Sequence, residues 1–168
     1  MTTEWPADKI ASLLASAFTS SASDAPTIDV LITFDRHGVS SHPNHISLYH
    51  GATTFVASAP SVDLYALESV NVLRKYISFF DLFLSPFFLS FFPSSAVEVD
   101  KEGKGEVGQA HPRRLLFVSR FDGFVAARRA MVNAHRSQMV WFRHLYILFS
   151  RYMVVNDLRL ERVPPVQR

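Results

Sequence analysis

The sequence predicts an α/β fold, and two patterns support that prediction. A short apolar run, residues 28–34, breaks at a glycine-containing loop over residues 35–41, and apolar residues at helical spacing follow it. A second apolar run, residues 115–119, precedes a long segment with helical periodicity. Short strands that alternate with helical segments are typical of α/β proteins, so we expect a strand, a loop and a helix in the first third of the chain.

Composition predicts one globular domain. The 168 residues are 48% apolar and 19% charged, a balance that can bury a core. The sequence has no cysteine, which excludes a disulfide framework and a thiolate metal site. The amino-terminal residues lack the pattern of a signal peptide, and Glu4, Trp5 and Asp8 argue against an anchor helix there.

The elements before the second strand follow from periodicity. Pro6 begins a predicted amphipathic helix of about a dozen residues. Its apolar side consists of Ile10, Leu13, Leu14 and Phe18. Residues 20–26 link this helix to the strand at residues 28–34, and the helix after the loop should run to about residue 57, before Pro60.

The middle of the chain is harder to assign. Residues 63–69 fit a strand or a helix by pattern, and we favour a strand. The apolar spacing of residues 70, 73, 77 and 80 then predicts a helix with Arg74 and Lys75 on its open side. Residues 121–124 predict a turn, and residues 126–153 predict one long helix.

A phenylalanine-rich stretch, residues 79–93, contains seven phenylalanines but is interrupted by Asp81 and Pro86. It is too short and too interrupted to predict a transmembrane helix. It fits a buried core segment or a loop that dips into a membrane interface, and an error in the translated sequence is a third alternative. Residues 94–112 are mostly polar and predict a flexible insert.

Charge is distributed unevenly along the chain. Residues 1–110 carry 6 basic and 12 acidic side chains, whereas residues 111–168 carry 11 arginines and 3 acidic side chains. In the predicted long helix, Arg129, Arg136 and Arg143 recur every seven residues opposite an apolar face that includes His135. That pattern fits a core helix with a solvated arginine face, or a basic helix at an anionic membrane surface. No nucleic-acid-binding motif accompanies it, so nucleic acid is not a predicted partner.

Two histidines, His42 and His45, lie three residues apart between the loop and the helix. This spacing alone is weak evidence for chemistry, because such pairs arise often by chance. Ligands of open α/β sheets bind beyond the carboxyl ends of strands, which is where this pair would lie. Pro43 at the first helical position would fix the geometry between them. The alternative is two histidines that only hydrogen-bond to loop carbonyls.

Three blocks of the sequence together form a recognisable pattern. The first block reads Thr-Phe-Asp, Gly-Val-Ser and His-Pro-Asn-His over residues 33–45, with Tyr49 after it. The second covers residues 67–76, and the third covers residues 130–156 and includes His-Arg-Ser-Gln. In this order the blocks resemble the PIG-L/LmbE-type de-N-acetylases, and above all the eukaryotic branch that acts on N-acetylglucosaminyl-phosphatidylinositol. The resemblance implies that residues 1–168 are the carboxyl-terminal part of one de-N-acetylase domain. The implied fold is the incomplete carboxyl-terminal portion of a Rossmann-like, three-layer LmbE-type fold.

The same resemblance implies a function. It is the removal of the N-acetyl group from a glycosylphosphatidylinositol lipid precursor, with zinc as cofactor, at the cytoplasmic face of the endoplasmic reticulum membrane. By position, His45 would bind zinc and His42 would stabilise the oxyanion of the transition state. Asn44 stands where many bacterial members have an aspartate. The residues expected to shape the pocket are Asp35, Asn44, His135 and Arg136.

One block of that family has no counterpart in the sequence. The family's His-Pro-Asp-Asp-Glu run supplies two of the three protein zinc ligands and the catalytic base, and no such run occurs here. We therefore expect an incomplete zinc site and no activity from this chain alone. The alternative is a non-catalytic remnant that binds a glycolipid or a protein partner at a membrane surface.

Overall fold

The structure is a computed structural model that describes residues 4–20, 25–77, 80 and 111–165. The chain divides into two compact units. The first consists of residues 1–70, 112–116 and 157–168, and the second of residues 71–111 and 117–156. The prediction of a single de-N-acetylase domain stays a prediction.

The first unit contains most of a four-stranded mixed sheet. Its helices are α1 (Ala7–Phe18), the distorted helical turn α2 (Gly38–Ser41) and α3 (Pro43–Ser58). Its strands are β1 (Val30–Phe34), β2 (Asp63–Leu67), β3 (Arg114–Val118) and β4 (Val155–Glu161), and β3 and β4 continue into the second unit. The strand order is β1-β2-β4-β3. The mixed sheet with its helices confirms the predicted α/β class.

Strands β1 and β2 run parallel, which fixes where the candidate site lies. Their register pairs Val30 with Asp63 and Phe34 with Leu67. A parallel pair needs a long crossover between its strands, and α3 provides it. Because both strands end at the same edge of the sheet, Asp35, which follows β1, and Ser69, which follows β2, are brought together there.

Helices α1 and α3 pack closely in the core of the first unit. An added Cβ at Gly51 of α3 would lie 2.3 Å from Cγ2 of Ile10, so glycine is what permits this approach. The core also contains Phe55, Val56 and Leu64, and each large apolar side chain buried in this way contributes about 1.5–3 kcal/mol. The predicted apolar side of α1 is correct except for Leu13, which is 61% exposed.

The second unit is mainly helical. It contains α4 (Val72–Lys75), α5 (Phe121–Arg129) and α6 (Trp141–Phe149). A π-helical turn (Ala130–Ala134) and two short 3-10 helices (Arg136–Gln138 and Arg151–Met153) lie between or after them. No helix in the described ranges has the length and apolar character needed to cross a membrane.

The prediction of one helix over residues 126–153 is therefore wrong. The backbone leaves helical geometry at His135 (φ −111°, ψ 39°) and again at Met139, which is extended. The interrupted region contains Asn133 and Ser137, two residue types with weaker helix propensity than alanine or leucine. The predicted turn at residues 121–124 is also wrong, because α5 begins at Phe121 with Asp122 in its first turn.

In the described part of the predicted helix over residues 70–80, α4 covers Val72–Lys75, and residues 76 and 77 after it are not helical. Lys75 is buried instead of lying on an open side, whereas Leu73 is 72% exposed. Lys75 Nζ lies 5.5 Å from the ring centre of Tyr76 and 5.9 Å from that of Tyr146. Phe80 is exposed, and the other predictions for residues 79–93, with nearly all of those for residues 94–112, lie outside the described residues.

Candidate active site

The loop after β1 is built around the buried carboxylate of Asp35. Its Oδ1 accepts hydrogen bonds from the backbone N–H groups of His37 and Gly38, both at 3.0 Å, and from Oγ of Ser69 at 2.7 Å. Its Oδ2 accepts the backbone N–H of Ser69 at 2.7 Å. Four hydrogen bonds to one carboxylate hold the ends of β1 and β2 to the loop that carries the histidines.

The loop contains strained backbone. Gly38, Val39 and Ser41 have φ values of 61°, 61° and 55°. A positive φ is unusual for a β-branched residue and costs about 1–3 kcal/mol. The N–H of Val39 donates to Oγ of Ser69 at 2.8 Å, so the hydroxyl that binds Asp35 also holds the strained residue. Ser69 is not among the site residues predicted from the sequence, although it lies in the second block of the family resemblance.

The ring of His45 is fixed on two sides. Its Nδ1 lies 3.0 Å from the carbonyl oxygen of Gly38, and the ring stacks on Phe34 with centroids 3.8 Å apart and planes at 10°. A carbonyl oxygen only accepts, so this hydrogen bond requires the proton on Nδ1. In the neutral ring the lone pair is then on Nε2, which is the form of a metal-binding imidazole held by a carbonyl.

His42 has the opposite hydrogen bond. It is the N-cap of α3, and its Nδ1 accepts the backbone N–H of Asn44 at 3.3 Å. Neutral His42 therefore carries its proton on Nε2, where it is a hydrogen-bond donor. Pro43 occupies the first helical turn as predicted, and the rings of His42 and His45 have centroids 4.9 Å apart. The two predicted residues lie together but differ in tautomer.

Two more features of the first unit surround this loop. Oδ1 of Asn44 is buried without a hydrogen-bond partner among the described residues, and such an atom calls for a ligand or a water. Tyr49, one turn of α3 beyond His45, has a pKa raised first by burial and then by the negative charge of Glu161. Glu161 accepts a hydrogen bond from Arg159 at 2.8 Å.

The other two predicted pocket residues, His135 and Arg136, lie in the second unit and are both exposed. The expectation that His135 belongs to an apolar face packed in a core is therefore wrong. The helix that would have formed this face is interrupted at His135 itself. The pocket-shaping role of the two residues stays a prediction.

The described residues fit one zinc ligand and not a complete zinc site. A catalytic zinc site has three protein ligands and one open position. In the described ranges, no three His, Cys, Asp or Glu side chains lie close enough together to hold a metal ion. Both oxygens of Asp35 are occupied by hydrogen bonds, whereas Nε2 of His45 has the free lone pair that a ligand needs.

The fold and this loop define an α/β protein with a histidine site beyond the carboxyl ends of two parallel strands. Comparison with known proteins identifies it further. The chain is 42% identical to the N-acetylglucosaminyl-phosphatidylinositol de-N-acetylase of Arthroderma benhamiae, over 97% of this chain and 57% of that protein. It is 35% identical to the protein of the same name from Bos taurus, over 92% of this chain and 51% of that protein.

A probable N-acetylglucosaminyl-phosphatidylinositol de-N-acetylase of Schizosaccharomyces pombe is 39% identical over 79% of the chain and 46% of its own length. The chain therefore belongs to the family of the N-acetylglucosaminyl-phosphatidylinositol de-N-acetylases. It spans about half the length of the curated relatives it matches. No protein-family model and no solved structure matches it.

Proposed function

We propose that this chain takes part in the de-N-acetylation of N-acetylglucosaminyl-phosphatidylinositol in glycosylphosphatidylinositol-anchor biosynthesis, at the cytoplasmic face of the endoplasmic reticulum membrane. The names of its relatives support this substrate and reaction. The observation that carries the proposal is the opposite hydrogen bonding of the two histidines, because a hydrolase site needs both a metal-binding lone pair and a donor for the oxyanion.

The two histidines have separate roles in this proposal. His45 would contribute Nε2 as one zinc ligand, and zinc, when bound, would polarise the amide carbonyl and lower the pKa of water. His42 would donate its Nε2 proton in a hydrogen bond to the oxygen on which negative charge develops. Asp35 and Ser69 position both, since they hold the strained loop that places the carbonyl of Gly38 against His45.

We also propose that the sheet is the incomplete carboxyl-terminal portion of a three-layer LmbE-type fold. Parallel sheets are normally covered on both faces. Here β1 is parallel to β2, and Ile32 in its middle is 59% exposed. An apolar residue exposed on a parallel strand supports a sheet that lacks part of its covering layer.

The experiment that tests the function is a chimera. Residues 1–168 replace the matching region of the Arthroderma benhamiae relative, and release of acetate from N-acetylglucosaminyl-phosphatidylinositol is measured together with bound zinc. We expect an active chimera. His45→Ala should lose zinc and turnover together, whereas His42→Ala should keep zinc and lose about 10²-fold or more in rate, the usual cost of a missing oxyanion donor.

The matched control is His50→Ala, which removes an exposed histidine from the same helix and should leave turnover unchanged. A folded, zinc-loaded chimera without turnover would contradict the proposed activity and favour a non-catalytic remnant. Unchanged turnover in His42→Ala with zinc present would refute the role assigned to His42.

A further inference from the structure

Helix α6 of the second unit presents its most apolar side to solvent. At about 100° per residue, five of its nine side chains fall within an arc of about 120°. All five are apolar and 48–76% exposed: Trp141, Phe142, Leu145, Leu148 and Phe149. We call these five residues the α6 apolar arc.

The opposite side of α6 packs inside its own unit. The helix is therefore held in place by contacts, and the arc faces solvent although the helix is packed. Ile147 is only 3% exposed. The ring of Tyr146 meets that of Tyr76 edge to face, with centroids 6.5 Å apart, and Lys75 Nζ lies over the Tyr146 ring. These contacts fix the rotation of the helix, and none of the described residues covers the arc. Exposed apolar patches of this kind mark interaction surfaces.

The described residues of the second unit are rich in basic side chains. The described residues of the second unit carry eight arginines and lysines but a single acidic residue, Asp122. Arg128 of α5 and His144 line a groove of about 230 Å³ together with Leu148 of the arc, so a cation borders the apolar surface directly. In the part of the chain that the structure describes, Arg128 forms no ion pair.

We propose that the α6 apolar arc and Arg128 form a surface that docks on an anionic phospholipid bilayer. Tryptophan and phenylalanine insert readily at the boundary between headgroups and acyl chains, and arginines beside them meet the phosphates. Positive charge beside the patch favours such a surface over the same basic face of a second copy of the chain. The choice of a bilayer over a protein partner also rests on the proposed function, whose substrate is a membrane lipid.

Trp141 makes the proposal directly measurable. The sequence has two tryptophans, so Trp5→Phe leaves Trp141 as the single reporter in the full chain. Vesicles of phosphatidylcholine with phosphatidylinositol should shift its emission to shorter wavelength, and brominated acyl chains should quench it. Vesicles of phosphatidylcholine alone should bind more weakly. This experiment measures vesicle binding and no turnover. Its failure would therefore contradict the docking surface alone, whereas an inactive chimera would contradict the proposed function.

Two variants, made in the Trp5→Phe background, separate the apolar and the charged contributions. Leu145→Glu places a carboxylate in the centre of the arc and should weaken vesicle binding about tenfold or more. The matched control is Leu13→Glu, because Leu13 is comparably exposed on α1 of the other unit. It should bind like the parent. Arg128→Glu should weaken binding about fivefold or more on phosphatidylinositol vesicles, with little change on phosphatidylcholine.

Three results would overturn the proposal. One is an unshifted Trp141 emission at saturating vesicle concentration. Another is equal binding by the parent and Leu145→Glu, with circular dichroism showing that both are folded. The third is a shift that appears without lipid as protein concentration rises, together with a dimer in size-exclusion chromatography, which would assign the arc to a second copy of the chain.

Discussion

The carboxylate of Asp35 gives the sharpest test of how the histidine loop is held. In Asp35→Asn one of the two oxygens becomes an amide nitrogen, which donates and no longer accepts. The best orientation keeps Oδ1 with its three donors and turns the new NH₂ towards the N–H of Ser69, so that two donors face each other. A lost charge-assisted hydrogen bond costs about 1.5–3 kcal/mol, and an unsatisfied buried N–H about 1–3 kcal/mol more.

We therefore expect Asp35→Asn to lower the free energy of unfolding by about 3 kcal/mol or more, measured by urea denaturation followed by circular dichroism. The control is Asp29→Asn, an exposed aspartate just before β1, which should stay within about 0.5 kcal/mol of the parent. A second measurement is the nitrogen NMR spectrum of the His45 ring. It should show Nδ1 protonated in the parent and a mixture of tautomers in Asp35→Asn.

An Asp35→Asn variant that unfolds within about 1 kcal/mol of the parent would refute the reasoning, because the negative charge and the hydrogen bond from the N–H of Ser69 would then contribute almost nothing. So would a His45 ring that keeps its tautomer when the Asp35 carboxylate is gone. In that case the stacked ring of Phe34 and the carbonyl of Gly38 would hold the histidine by themselves.

Three further predictions concern packing, pH and metal. Gly51→Ala should destabilise the chain by about 1–3 kcal/mol, because its Cβ would collide with Ile10. The control Gly123→Ala, whose Cβ has room, should stabilise the chain by up to about 1 kcal/mol. Equal effects of the two variants in thermal unfolding would contradict the close approach of α1 and α3. Burial lowers the pKa of Lys75, so at pH values between that lowered pKa and 10.5 the unfolded chain binds more protons than the folded chain. The free energy of unfolding should therefore rise with pH in this range, by at most about 1.4 kcal/mol per pH unit. Denaturation series at several pH values should show this rise in the parent and not in Lys75→Met. The 168-residue chain should bind zinc weakly, since the imidazole of His45 alone does not complete a tetrahedral zinc site. Tight one-to-one binding in calorimetry that is lost in His45→Ala would contradict this and would argue for ligands outside the described residues.

Local pattern was enough to predict much of the first unit. The apolar run before Asp35, the glycine-containing loop and Pro43 correctly predicted β1, the turn and the start of α3. These signals are short-range, because a strand, a break and a helix start are each encoded within a few neighbouring residues. Strand β4 was not predicted, although Leu158 and Leu160 alternate there with Arg159 and Glu161. A period of two over so short a run is a weak signal beside the helical pattern that precedes it.

Periodicity was misleading where helix propensity is weak or where burial decides the outcome. Arginines every seven residues suggested one helix over residues 126–153, yet the backbone leaves helical geometry at His135 and Met139, and α6 is a separate segment. The apolar face opposite those arginines fitted either a core or a membrane surface. In α6 the packing of Ile147 and Tyr146 leaves Phe142 and Phe149 on the outward side. Which side of an amphipathic helix is buried depends on its neighbours, and no local pattern contains them.

The sequence by itself determined the α/β class, the family and the pair His42 and His45. Only the tertiary structure distinguished the two histidines. Their tautomers depend on a carbonyl at Gly38 and on an N-cap hydrogen bond, and Gly38 is held through Asp35 by Ser69, which is 34 residues away from Asp35 along the chain. Parallel pairing of β1 with β2 brings these groups together, and contacts made across such a sequence distance are decided by the folded sheet.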